Sequence, residues 1–154
     1  MTSSGTTSST NPPLATLSCD PNGYLIRDGT LYRVNITTGA ATLIRSGVGG
    51  GGTVNAMGYN LGDNYLYAAY GGNAPTLLRI AGTGEAVSLG PLNVTTALNT
   101  GDVDENSQYW GSAGGAQWVQ VDLRPGSPIF GRTVANGTAS PQNGVLDWAY
   151  VPRG

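Results

Sequence analysis

Short apolar runs with two-residue alternation recur along the chain, separated by clusters of Gly, Asn, Asp and Pro. That pattern predicts strands and tight turns rather than helices. The clearest instance is residues 55–70. One strand ends at Tyr59, a polar turn runs from Asn60 to Asn64, and Tyr65, Leu66 and Tyr67 begin the returning strand of a hairpin. Ahead of it, strands are predicted at 14–19, 24–26, 30–34 and 41–44, with turns at 20–23, 28–29 and 35–39. The Gly-rich stretch 47–52 links this group to a second group at 54–59, 65–69, 76–80 and 86–89. A third follows at 101–104, 108–110, 117–121 and 129–134, and residues 145–151 would open a fourth.

The spacing makes these groups a repeat. Tyr24, Tyr65 and Tyr109 lie 41 and 44 residues apart, Leu31, Leu77 and Trp118 lie 46 and 41 apart, and Asp102 and Asp147 lie 45 apart. Such periods suit four-stranded propeller blades. The expected fold is all-β: three four-stranded antiparallel blade-like units at about 14–46, 53–92 and 100–135, with an extra strand at 145–151. Residues 1–13, rich in Ser and Thr and ending in two prolines, read as a flexible leader outside the 14–154 repeat domain. A closed propeller has about four to eight blades, so three blades and a strand are part of a ring. The outer faces of the first and third units, with Leu25, Leu31, Trp118 and Val121, are expected to need cover. The expected partner is a second copy of the chain or the remainder of a longer one.

Composition supports this and narrows the chemistry. The chain of 154 residues has 25 Gly, 9 Pro and only 10% charged residues, enough for one domain. Every cation is Arg, and the net charge of -2 offers no basis for gripping nucleic acid. No apolar run nears the roughly 20 residues that span a bilayer, and no signal-peptide pattern opens the chain. The expectation is a soluble chain, with no membrane partner, whose signal is removed beforehand or left out. Asn35, Asn93 and Asn136 each begin an Asn-x-Thr sequon, which favours an extracellular glycoprotein. The lone Cys19 forms no internal disulfide and reads as a small buried residue.

With neither His nor Lys, nucleophilic systems that use His, zinc sites that contain it, and Schiff-base chemistry are excluded within one chain. Asp102 and Asp104 alternate on one predicted strand and Asp147 holds the matching place in the next unit, which is the residue type that glycoside hydrolysis uses. The competing reading is that these carboxylates cap turns. Residues 102–106 also begin like a calcium loop, but Ser107 stands for its Gly and Ala113 for its Glu, so no metal or cofactor is expected. Residues 49–52 read as an inter-blade loop, not a phosphate cradle. Among the aromatics, Trp118 and Trp148 are expected between blades. Tyr70 and Trp110, beside Gly-rich turns, are the expected exposed pair on which a glycan would stack.

The units resemble an uncharacterised group of secreted, mostly fungal propeller-like domains. The likeness is carried by the Gly-Tyr-Leu start within 19–26, the Leu-Tyr-Arg-Val-Asn strand and turn over 31–39, and the Asn-Ala-Met-Gly-Tyr-Asn hairpin over 55–67. It covers about 14–152 and looks like the first half of such a domain. It implies a propeller-like fold and a secreted location, and no transferable activity. The resulting functional expectation is a non-catalytic extracellular structural or binding module, self-assembling or in contact with carbohydrate. The alternative is a carboxylate-dependent carbohydrate-active enzyme.

Overall fold

The computed structural model describes residues 13–18, 20–114, 116–139 and 147–151. Among the described residues, eleven strands form three antiparallel sheets, each wound in sequence order. The first holds β1 (Asn22–Arg27), β2 (Thr30–Asn35) and β3 (Ala41–Arg45). The second holds β4 (Val54–Asn60), β5 (Tyr65–Tyr70), β6 (Thr76–Ile80) and β7 (Ala86–Pro91). The third holds β8 (Thr100–Val103), β9 (Gln108–Ala113), β10 (Gln117–Asp122) and β11 (Thr133–Thr138). The only helical turn among the described residues is the 3-10 turn Val48–Gly50 in the link between the first two sheets. The chain is thus all-β, built of consecutive blade-like sheets.

One expectation is corrected: the first sheet has three strands, not four. Residues 14–18 enter no ladder because their backbone is used elsewhere. Leu17 N–H donates to Asn64 O at 2.8 Å, and Ala15 O accepts from Gly82 N–H at 2.9 Å. Tyr65 Oη–H donates to Leu14 O at 2.6 Å. The segment therefore runs across the turns at one end of the second sheet. Cys19 lies outside the described residues.

Two apolar layers hold the sheets face to face. Leu31, with Ile26 and Ile44 beside it, meets Leu66, Leu78 and Ile80 between the first and second sheets. Tyr67, Ala69 and Leu77 meet Val103, Tyr109, Val119 and Val121 between the second and third. Leu31 and Val121, expected on the outer faces, are therefore buried between sheets, both at 0% exposure. Strand alternation explains it: Leu25 and Trp118 occupy the opposite phase and do point outward.

The tightest contact joins β4 to β8, the first strands of their sheets. A bulge in β4 between Asn55 and Gly58 puts Ala56 at φ 54 and turns its carbonyl to the Tyr109 hydroxyl, which donates to it at 2.8 Å in a fully buried setting. Burial drives the Tyr109 phenol's pKa far upward, so it stays a donor. Tyr109→Phe should cost about 1–2 kcal/mol, because the buried Ala56 carbonyl loses its partner; chemical denaturation should show the loss at an unchanged m-value.

Candidate functional site

The outward face of the third sheet carries a cleft of about 390 Å³, lined by Asp102, Asp104, Trp110 and residues 148–150. Pairing register builds its floor. Asp102 on β8 lies opposite Trp110 on β9, which lies opposite Gln120 on β10, so these side chains share one face. Trp118, two residues from Gln120, joins them, its ring centroid 5.8 Å from that of Trp110 at 38°. The Trp118 ring also lies about 3.0 Å from where a Cβ on Gly137 would be, so the glycine leaves room for the indole. Trp148 and Tyr150, 37% and 36% exposed, form the other wall.

The two carboxylates of the cleft behave differently. Asp104 caps the β8–β9 turn. One of its oxygens accepts from the backbone N–H of Asn106 and of Gln108, both at 2.9 Å, and the other from Trp110 Nε1–H at 3.0 Å. Those bonds fix the turn and the indole. Asp102 is half buried, and it accepts from its neighbour Val103 N–H at 2.8 Å and from Tyr150 N–H at 2.6 Å. Burial raises its pKa, the Val103 bond opposes that, and the charge of Asp147 adds to the rise. Asp147 itself is exposed and accepts from Trp148 N–H. Among the described residues no group of three or more Asp, Glu, Cys or His is arranged to hold a metal ion.

The structure therefore brings together Asp102, Asp104 and Trp110, with Asp147 near enough to act electrostatically. Tyr70 is elsewhere: its ring packs on the 49–52 loop, its hydroxyl 2.7 Å from where a Cβ on Gly52 would lie. Trp148 and Tyr150 were missed as wall residues. The signal was present in the 45-residue offset that relates Asp147 to Asp102, since a matching strand would lie next to β8. Asn35, Asn93 and Asn136 are all exposed. Of residues 145–151, the described part 147–151 enters no ladder, and Val151 is 77% exposed.

Three consecutive antiparallel sheets packed face to face, with β4 against β8 and an aromatic cleft on the last sheet, define a propeller-like repeat domain. The chain belongs to the family described as a repeat of unknown function (DUF6923), whose model matches residues 20–153. Among solved structures it is similar to regucalcin, a calcium-binding protein from Agrobacterium tumefaciens strain C58. The two are 14% identical with a TM-score of 0.48, over 90% of this chain and 63% of that one. This chain thus spans less than two thirds of that structure. Comparison with curated proteins gave no match.

Proposed function

We infer that the chain is a non-catalytic extracellular module that binds copies of itself through its two end sheets. The observation that carries this is a pair of outward apolar rows. On the first sheet, Leu25, Tyr32 and Leu43 are direct cross-strand neighbours, with Leu25 48% and Leu43 57% exposed. On the third, Trp110 and Trp118 stack on the opposite outward face. The two rows differ, so the contact is head to tail rather than symmetric. The exposed sequons at Asn35, Asn93 and Asn136 support the extracellular setting.

Paired variants test this. Leu43→Glu blocks one face and Trp118→Glu the other. Each alone should stop growth, and mixing them should give a species of two chains and no more. Continued association of either variant on its own would sink the reading.

The cleft favours contact with carbohydrate as a second reading, since Trp110, Trp148 and Tyr150 offer ring faces beside carboxylate acceptors. Tryptophan fluorescence titrated with methyl glycosides tests it, and a flat response would set it aside. Catalysis by carboxylates receives less support, because both Asp104 oxygens are occupied by three N–H donors.

A further inference from the structure

Ladder register identifies the strand that the first sheet lacks. Ile26 pairs with Leu31, Ala69 with Leu77 and Ser112 with Trp118, so β1 corresponds to β5 and β9. The second and third sheets each have a further strand, β4 and β8, on the inner side of that position. No described strand pairs with the inner edge of β1. The turn at Asp28 and Gly29, with φ 49 and 67, is a two-residue hairpin turn whose flanking pair, Arg27 and Thr30, is hydrogen-bonded. Alternation then aims the amides of Tyr24 and Ile26 away from β2, along the free edge.

Two cavities follow this edge. One, of about 310 Å³, is lined by residues 22–24, 57–59 and Asp102, among others. The other, of about 400 Å³, is lined by residues 24–26, 55–57, Gly101 and Asp147, among others. Together they make a lane along the free edge of β1, with residues of β4 on its other side. The edge carries no Pro, Lys or bulge, the devices that normally protect such an edge.

We propose that this lane is a strand-acceptor site whose occupant is segment 147–151 of a second copy, making one four-stranded sheet with β1, β2 and β3. The proposal rests on the self-association reading and specifies its junction. Register supports the donor. Asp147 stands 45 residues after Asp102, Asp102 pairs with Trp110, and Trp110 corresponds to Tyr24, so Asp147 would face Tyr24 across the new ladder. Within its own chain the segment is held against β8 by the bond from Tyr150 N–H to Asp102, where the first strand of a following blade belongs. In that arrangement Leu25 and Leu43 stay exposed. One head-to-tail contact fills the lane and lays the Leu25, Tyr32 and Leu43 row against Trp110 and Trp118.

Hydrogen exchange at the Tyr24 and Ile26 amides tests this, run over a concentration series with mass measured in parallel. Exchange should be fast in dilute protein and slow at least tenfold as mass rises. Ala149→Pro, in a segment outside every described ladder, should stay folded and keep both amides fast at all concentrations. If mass rises while the amides stay fast, the junction is wrong and self-association stands. Protection that does not depend on concentration would overturn the proposal in favour of the chain's own segment as occupant. Protection that survives Ala149→Pro would overturn it in favour of another strand, and a lone chain with fast amides would defeat both readings.

Discussion

Gly101→Ala is expected to destabilise the chain by about 3 kcal/mol, a fall in Tm of roughly 6–12 °C for a domain of this size. A Cβ at that position would lie 2.5 Å from Ala56 O and 2.9 Å from the Tyr109 hydroxyl. Gly58 presents the mirror case, with a Cβ 2.6 Å from Asp102 Cα. Both obstacles include backbone, which cannot swing aside as a side chain would. Neither glycine has a positive φ, so the cost is steric and not conformational. The second and third sheets would have to separate where β4 meets β8, weakening the bond from Tyr109 to Ala56 as well. Gly72→Ala is the control: nothing lies within 4 Å of its Cβ position, and its Tm should barely move. Calorimetry on Gly101→Ala, Gly58→Ala and Gly72→Ala checks the ranking.

Asp122→Ala should cost a similar amount, about 3 kcal/mol, through a different mechanism, the loss of charge-assisted hydrogen bonds. The Asp122 side chain is fully buried. Its carboxylate accepts from Arg124 N–H at 2.8 Å, from the Arg124 guanidinium and from Ser127 Oγ–H at 3.0 Å. These bonds hold the loop from β10 to β11 in place. The guanidinium pulls the Asp122 pKa down to about 2. A carboxylate depressed in the folded state contributes its full stability above its unfolded value, near 4, and loses it as pH falls toward 2. Asp122→Asn should therefore lower Tm at pH 7 and flatten the acid limb between about pH 4 and 2. Asp102 and Asp63 work in the other sense. Burial raises both, so their ionised forms penalise the fold at neutral pH and protonation relieves them. A wild-type acid limb no steeper than that of Asp122→Asn would refute the assignment.

Much of the architecture was legible because turn chemistry and period-two alternation are local properties. Leu31, Leu77 and Trp118 were aligned correctly: each is the second residue of its strand and faces the following blade position. Leu31 and Leu77 are buried there, while Trp118 is left partly open because no described sheet follows it. The tyrosine alignment failed. Register matches Tyr24 with Tyr67 and Trp110, whereas Tyr109 points to the other face, since a one-residue slip in a strand reverses its facing. Residues 14–18 have strand-like composition, and only the turns at Asn64 and Gly82 decide their use. The cleft was half legible. Asp102 and Asp104 were found by alternation and Trp110 by its place beside a Gly-rich turn, but Asp104 as an indole-bound turn cap, and Trp148 and Tyr150 as its wall, depend on contacts made across the fold.

Light scattering on the wild-type chain over a dilution series tests the central claim most directly. The account predicts a mass of two or more chains that falls toward one on dilution. A mass of one chain at every concentration, with Leu25, Leu43 and Trp118 freely accessible to solvent probes, would contradict it.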